Sequence, residues 1–270
     1  MPYSLGILGA GNMAEAIARG VLSAKLFLPA QIIASDPSDA RRQLFLQQLQ
    51  IEALDDNAAA VRQSRIVLLS VKPQHMAEVL ASISAVVSKD ALFISIAAGK
   101  SSAFIERHLG PAAPWRIIRA MPNTPMLVGE GMVALCRGRH ASADDLQIAR
   151  QLFQTSAAVI DVDEDKMDAV TAMSGSGPAY FFYLVEQMIA AGISLGLTPE
   201  QSHTLATRTA LGAAKMLTSS ADSPKELRKK VTSPGGTTQA AIETMEAQHV
   251  NEAIVAAIRR AAERGRELAG

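Results

Sequence analysis

The sequence contains a single cysteine, Cys136, among its 270 residues, which excludes an internal disulfide and a cysteine-rich metal site. Its five histidines are scattered without the spacing of metal ligands, so we expect no metal. Neither sign of charge is in excess, because 26 basic residues balance 26 acidic ones. Composition therefore does not favour nucleic acid or a membrane surface as a partner.

Long apolar runs are also missing. The longest candidate, residues 91–98, contains Ser95 and is far shorter than the ~18 residues of a membrane-spanning helix, so it predicts a buried strand. The first eight residues, MPYSLGIL, lack the basic segment of a secretory signal. Because the sequence also contains only one cysteine, we expect the protein to be cytoplasmic. Aromatic residues are scarce, and much of the apolar content is alanine, which favours closely packed helices or a large subunit interface.

What the sequence does contain is an alternation of short apolar runs with helix-like segments up to residue 163, typical of β-α-β units. Strands are predicted at 4–8, 31–35, 66–71, 91–97, 115–120, 132–136 and 159–162, and helices at 12–24, 40–49, 74–87 and 144–153. Beyond this point the strand signals end. Capping boxes starting at Thr198 and Ser223 mark helix starts, and helices are predicted at 179–195, 199–217, 224–231, 237–248 and 251–268.

The predicted fold is therefore α/β, with two domains. Residues 1–163 form a Rossmann-type doubly wound sheet that binds a dinucleotide, and residues 164–270 form an all-helical domain. The Rossmann prediction depends most on residues 5–16, LGILGAGNMAEA, which are typical of a strand, a tight turn and a helix. Gly9 would make the turn, Gly11 would let the backbone approach a pyrophosphate, and Ala14 would let helix and strand pack closely. A glycine-rich turn before an ordinary helix is the alternative.

Asp36 lies 22 residues after Ala14, at the end of the second predicted strand. An acid there usually binds the adenosine ribose hydroxyls and would repel a 2′-phosphate, which favours NADH. The alternative is a turn aspartate before proline. Polar side chains around it could instead hold the extra phosphate of NADPH, so both cofactors stay open; these side chains are Ser35, Ser38, Arg41 and Arg42.

Four further segments could carry chemistry. Residues 70–74, SVKPQ, and 119–125, RAMPNTP, follow predicted strands, where Lys72 could meet a phosphate or ribose and Asn123 could orient a carboxamide such as that of nicotinamide. A solvated lysine and a plain connector are the alternatives. Residues 174–180, SGSGPAY, and 233–238, SPGGTT, place hydroxyls and glycines before helix N-termini, which suits a carboxylate, unless they are ordinary helix junctions. The acidic run 163–165 indicates a solvated turn.

These segments occur in the order and spacing found in pyrroline-5-carboxylate reductases, a family that the sequence resembles over essentially its whole length. The resemblance implies reduction of the cyclic imine 1-pyrroline-5-carboxylate to L-proline by NADPH or NADH, the last step of proline biosynthesis. It also implies that residues 164–270 bind substrate and form a homodimer, and in this family dimers often assemble into larger rings.

The resemblance also implies roles for single residues. Thr238 would hydrogen-bond the imine nitrogen, and the substrate would be bound by Ser233, Gly236, Thr237 and Ser176. The cofactor would be bound by Gly9, Gly11, Asn12, Met13, Ser35, Asp36, Val71, Lys72, Pro73, Met121, Asn123 and Thr124.

Two other functions stay open at this point. A β-hydroxyacid dehydrogenase also joins a Rossmann domain to a helical one and uses a lysine on a helix, for which Lys215 is the candidate. That reading gives no reason for residues 233–238. A non-catalytic nucleotide sensor whose helical half binds a protein partner is the second alternative.

Overall fold

A computed structural model describes residues 3–269 of the chain. Its contacts divide the protein into two compact units. The first runs to Ser176 and includes the chain from Ala261 onward, and the second comprises Gly177–Arg260. The domain division at residues 163 and 164 stays a prediction.

The first unit is built on one eight-stranded sheet with the order β3-β2-β1-β4-β5-β6-β7-β8. Every neighbouring pair is parallel except β6 and β7. The strands are β1 Tyr3–Leu8, β2 Ile32–Ser35, β3 Glu52–Leu54, β4 Ser64–Leu69, β5 Leu92–Ser95, β6 Arg116–Met121, β7 Gly131–Arg137 and β8 Ala157–Asp161. The strand order reverses between β1 and β4, which is the position where doubly wound sheets bind ligands. The predicted Rossmann-type fold is confirmed.

Helices cover both faces of this sheet. They are α1 Asn12–Ser23, α2 Asp39–Leu49, α3 Asn57–Arg62, α4 Met76–Ile83, α5 Ser102–Leu109, α6 Ala143–Phe153 and α7 Met167–Val170, with 3-10 turns at Pro29–Gln31, Pro73–His75, Thr124–Val128 and Glu164–Lys166. The sequence did not predict β3, α3 or α5. It also predicted a helix over 74–87, whereas α4 is shorter and follows the Pro73–His75 turn.

The sheet is buried on both sides, as expected of a parallel sheet. Successive residues of one strand enter opposite cores: Leu68 packs in the core that includes α1 and α6, and Val67 packs in the core that includes α4 and α5. In the second core, Phe93 and Trp115 meet edge to face with ring centroids 5.9 Å apart. The near-continuous apolar strands of the sequence follow from this double burial.

The second unit is helical. It contains α8 Gly177–Ser194, α9 Pro199–Ser219, α10 Pro224–Lys230, α11 Thr237–Ala247 and the first part of α12, Val250–Ala269. Both predicted capping boxes are present at Thr198 and Ser223. None of the helices described within residues 3–269 is long and apolar enough to span a membrane. Large apolar side chains of α8 stay exposed, among them Phe181, Phe182 and Tyr183.

Candidate active site

The glycine loop at the end of β1 has the geometry of a pyrophosphate site. Gly9 has φ +92° and donates its N–H to the Ser35 carbonyl at 2.8 Å. A Cβ on Gly9 would lie 2.8 Å from the carbonyl oxygen of Ser70, so no larger residue fits. Gly11 caps α1, and a Cβ there would meet no described atom within 4 Å. Because Gly11 offers no side-chain cap, the N–H groups of the first turn are available to an anion.

Asp36 braces this loop. One carboxylate oxygen accepts the Ala10 N–H at 2.8 Å, and the other accepts the Ser38 N–H at 2.8 Å. Arg41 binds the same loop from the other side, since its Nε donates to the Ala10 carbonyl. The carboxylate therefore stabilises the backbone that would carry the phosphates, a role that the sequence did not predict. Its contact with the ribose stays a prediction.

The side chains proposed for an NADPH phosphate are placed unequally. Ser35 is fully buried, and its hydroxyl donates to Asn57 Oδ1 at 2.6 Å, so it is engaged inside the protein. Arg41 pairs with Glu15 at 2.9 Å. Ser38 is exposed at the start of α2. Of these groups, the Ser38 hydroxyl is the most accessible to a phosphate.

The segment after β4 lies directly beside the glycine loop. Ser70 donates its N–H to the Leu8 carbonyl at 2.9 Å, which ties the ends of β1 and β4 together. Val71 is half-buried against the second core, whereas Lys72 is exposed and immediately precedes the turn that Pro73 begins. The structure thus brings the predicted cofactor residues Val71, Lys72 and Pro73 to the same sheet edge as Gly9.

Asn123 holds the loop after β6 in place. Its side chain is 8% exposed, its Nδ2 donates to the Ser174 carbonyl at 3.1 Å, and its Oδ1 accepts the Met132 N–H at 2.8 Å. Both ends of the amide are therefore used within the protein, and Thr124 is the exposed polar side chain of this loop. Asn123 therefore holds the loop that carries Thr124, and the contact of this loop with a nicotinamide stays a prediction.

Residues 174–180 form a different structure from the one predicted. Thr171–Gly175 is a π-helical turn that joins α7 to α8, rather than an open loop before a helix. The Ser176 N–H donates to the Thr171 carbonyl at 2.8 Å, and the Ser174 hydroxyl donates to the Val170 carbonyl at 3.1 Å. The expectation of free N–H groups here was wrong for Ser176, whose N–H is used by the turn. Such π turns are frequent at functional sites.

Glu164 was predicted to lie in a solvated acidic turn, and this was also wrong. Its carboxylate accepts the Ser102 N–H at 2.7 Å, the Ser102 hydroxyl at 2.6 Å and Arg119 Nη1 at 2.9 Å. Arg119 is only 7% exposed. Burial alone raises the pKa of Glu164, but the hydrogen bonds from Ser102 and Arg119 outweigh it and hold the pKa below its ordinary value. The one signal for this pairing was an arginine within an apolar strand.

Cys136 faces Arg119 across the β6-β7 pair and is 3% exposed. Burial raises the pKa of its thiol to about 11, so it is uncharged at neutral pH. Within the described part of the chain, no three His, Cys, Asp or Glu side chains are grouped to hold a metal.

The SPGGTT segment of the second unit forms a turn before an uncapped helix start, the predicted carboxylate cradle. Gly236 donates its N–H to the Ser233 carbonyl at 3.0 Å, and Gly235 has φ +69° after Pro234, which is typical of a type II turn. Gln239 accepts the Gly235 N–H at 2.7 Å and steadies the turn. Gly236 caps α11 without a side chain, so the first N–H groups of α11 are open to an anion.

The hydroxyls needed at this cradle are accessible. Ser233 and Thr237 are exposed, and Thr238 is half-exposed in the first turn of α11. Lys215, the candidate of the alternative dehydrogenase, is exposed in the second half of α9. The structure thus places the predicted cofactor residues in the first unit, and it places all the predicted substrate residues except Ser176 in the second unit.

The chain is similar to known proteins over nearly its whole length. A family described as pyrroline-5-carboxylate reductase dimerisation matches residues 164–268, and one described as NADP oxidoreductase, coenzyme F420-dependent, matches residues 4–99. The pyrroline-5-carboxylate reductase of Synechocystis sp. is 40% identical over 99% of both chains. That of Pseudomonas aeruginosa is 41% identical over 98% of this chain and 96% of the relative.

Solved structures show the same similarity. A pyrroline-5-carboxylate reductase from Coxiella burnetii is 33% identical, with a TM-score of 0.91 over 100% of both chains. A Plasmodium falciparum pyrroline carboxylate reductase with NADP bound is 28% identical, with a TM-score of 0.89 over 99% of this chain and 98% of that one.

Proposed function

Because this chain belongs to the pyrroline-5-carboxylate reductase family, we propose that its units divide the reaction between cofactor and substrate. The chain transfers a hydride from NADPH or NADH to the imine of 1-pyrroline-5-carboxylate and gives L-proline, the last step of proline biosynthesis. The observation that best supports the division of roles is the presence in one chain of an open glycine loop and an uncapped SPGGTT helix start.

We propose that the first unit binds the dinucleotide. Gly9, Gly11, Asn12 and Met13 surround the start of α1, where N–H groups and the helix dipole favour the pyrophosphate. Supporting contacts to ribose and nicotinamide come from Asp36, from the loop of Val71, Lys72 and Pro73, and from the loop of Met121, Asn123 and Thr124. The open space above Gly11 fits this role, since a side chain there would fill it. The bound cofactor supplies the hydride.

We propose that the second unit binds the substrate. The hydroxyl of Ser233 and the Thr237 N–H take the carboxylate, Gly236 lies against it while its own N–H holds the turn through the Ser233 carbonyl, and the Thr238 hydroxyl hydrogen-bonds the ring nitrogen. An imine that arrives protonated donates its N–H to this hydroxyl and needs only orientation, whereas a neutral one accepts a hydrogen bond from the hydroxyl, which passes on a proton from solvent water. We also propose Ser176, which directly follows the π-helical turn, as a further substrate residue.

The test uses purified full-length protein with 1-pyrroline-5-carboxylate and each reduced cofactor. We expect the absorbance of the reduced cofactor to fall only when protein and imine are both present. No loss with either cofactor, from protein that still binds the cofactor, would favour the nucleotide sensor. Turnover of a hydroxyacid that is abolished by Lys215→Ala would instead favour the β-hydroxyacid dehydrogenase.

The family's dimerisation region covers residues 164–268, so the chain forms a homo-oligomer. We propose that residues 164–270 form the substrate-binding and oligomerisation domain, that the assembly is a dimer through its helices, and that dimers can join into a ring. Exposed apolar side chains on α8 support the dimer, because a face of this kind is usually covered. A cytoplasmic location is proposed from the lone, buried Cys136.

A further inference from the structure

A cavity of about 610 Å³ opens at the amino-terminal edge of the sheet, opposite the edge that carries the glycine loop. The starts of β4, β5 and β6, the chain after α1 and one side of α6 surround it. Its volume lies within the roughly 300–1,000 Å³ typical of small-molecule sites. Its walls are mostly apolar, formed by Leu26, Phe27, Ile66, Leu92 and Leu152.

Arg116 forms a fixed polar wall of this cavity. Its Nη1 pairs with Asp145 at 2.9 Å, and Asp145 is 1% exposed at the capping box that starts α6. Its Nη2 donates to the backbone carbonyl of Asp90. The charge of Arg116 is therefore balanced by Asp145, while its guanidinium holds the backbone of Asp90 in place at the rim.

Two opposite charges are left at the cavity. Arg65 and Asp90 line the cavity and are exposed. Among the side chains described, residues 3–267, neither has an ion-pair partner. Ile66 pairs with Leu92 across β4 and β5, so the backbones of Arg65 and Asp90 are one register step apart. The cavity is thus lined by one exposed cation and one exposed anion, at the starts of neighbouring strands, together with its apolar walls.

We propose that this cavity binds a free α-amino acid with a large apolar side chain. Arg65 takes the carboxylate, Asp90 takes the ammonium group, and the side chain packs against Phe27 and the leucines. A guanidinium binds a carboxylate with two parallel hydrogen bonds, and a carboxylate accepts readily from an ammonium group. The apolar floor adds affinity in proportion to the area that the side chain buries. Such a site is separate from the carboxylate cradle at SPGGTT.

The test is calorimetric titration of the full-length protein with L-phenylalanine. We expect saturable binding that is weakened about tenfold or more by Arg65→Gln and by Asp90→Asn, since each removes one charged hydrogen-bond partner. Arg62→Gln, an exposed arginine outside the cavity, is the matched control and keeps wild-type binding. Neither Arg65 nor Asp90 is placed in the reductase machinery, so unchanged turnover shows that the variants are folded.

Ligand analogues test the chemistry. 3-Phenylpropionate lacks the ammonium group and phenethylamine lacks the carboxylate, so each is expected to bind about tenfold or more weakly than L-phenylalanine. Equal binding of either analogue overturns the proposal, as does the absence of any binding at millimolar concentrations. Binding that Thr238→Ala abolishes and Arg65→Gln leaves intact would assign L-phenylalanine to the substrate cradle and also overturn it.

Discussion

At the scale of single residues, the polar side chains of the proposed site are of two kinds: those proposed to contact the substrate and those that hold the loops in place. We assign Thr238 to the first kind, because its hydroxyl lies in the first turn of α11 beside open N–H groups. Asp36, Asn123 and Glu164 belong to the second kind, since each accepts or donates at least two hydrogen bonds within the protein. Substitutions at the two kinds should separate in kinetics and in stability.

Thr238→Ala is expected to lower kcat by about tenfold to a hundredfold and to change KM for the imine by less than about threefold. The hydroxyl's bond to nitrogen strengthens as charge changes there in the transition state. Steady-state kinetics measure both constants. Thr244→Ala is the control, because its hydroxyl, on the same helix, donates to the Ala240 carbonyl. An unchanged kcat would remove Thr238 from the mechanism.

Asp36→Ala is expected to lower kcat/KM for both cofactors by about tenfold, with the larger loss for NADH. The value of kcat/KM falls with both cofactors because the Ala10 N–H loses a charged acceptor. It falls less with NADPH because a negative charge near the 2′-phosphate is removed. Kinetics with each cofactor measure the ratio, and Asp55→Ala serves as an exposed control. An increased preference for NADH would contradict the assignment.

Glu164→Gln is expected to destabilise the protein at pH 7 by about 1–3 kcal/mol, because Arg119 keeps its buried charge without its counter-charge. The pKa of Glu164 is lower in the folded protein than its ordinary 4.5. The Glu164 carboxylate therefore adds to the free energy of unfolding above about pH 4.5, and this contribution is lost as the pH falls through the pKa of Glu164 in the folded protein.

Urea unfolding at pH 7 and at progressively lower pH measures this effect. The gap between wild type and Glu164→Gln should narrow as the pH falls. Asp165→Asn is the control, since its ion pair with Lys166 is exposed and contributes little. A gap that stays constant down to pH 3 would show that the Glu164 charge is not the cause.

At the scale of elements, the glycine loop and the SPGGTT turn were predictable because their chemistry is local. A positive φ, a proline and an uncapped helix start leave their marks within a few residues. The bracing contacts were not predictable in this way, because Asp36 is 26 residues from Ala10 and Glu164 is 45 from Arg119. Only the folded sheet brings such partners together.

Strand β3 and the π-helical turn were not predicted because contacts within the folded chain define them. Strand β3 is three residues long and has no apolar alternation of its own; its pairing with β2 defines it. The π-helical turn depends on a bond from the Ser176 N–H to the Thr171 carbonyl, whereas serine and glycine locally favour an open loop. Helix α5 did leave a local signal, since Ser101 caps it by accepting the Phe104 N–H.

Gly9→Ala is expected to destabilise the protein by about 3 kcal/mol or more and to abolish cofactor binding. It adds left-handed strain to a clash with the backbone of Ser70 and Val71. Gly129→Ala has a similar φ of +78°, in the left-handed helical region, and no described atom within 4 Å of the added carbon. It should cost only about 1 kcal/mol. Urea unfolding and cofactor titration compare the two; equal losses would show that strain alone decides the effect.

At the scale of the whole molecule, the two units differ in how completely they bury their apolar side chains. The first buries its apolar strands on both faces of the sheet, whereas the second leaves Phe182 of α8 69% exposed and Leu195 83% exposed. The sequence predicted this difference in part, through its alanine-rich helices. Which side chains stay exposed could be read only from the folded chain.

Phe182→Lys is expected to shift the protein toward the monomer and to lower its thermal stability, because a charge would be buried in the proposed interface. Light scattering across a range of protein concentrations measures the mass. Leu46→Lys changes a side chain with 51% exposure on α2 and is expected to leave the mass unchanged. An active wild-type monomer would contradict the proposed dimer.

The burial of Cys136 has a practical consequence for spectroscopy. A neutral thiol that solvent does not reach is a poor nucleophile toward maleimides and other labelling reagents, so the native chain is close to a blank background. A single cysteine introduced at an exposed position close in the chain to each site, such as Lys229 or Gln43, would then be the dominant site of attachment. Fluorophores or spin labels placed there could follow loading of the carboxylate cradle and of the nucleotide loop separately, without first removing the native thiol.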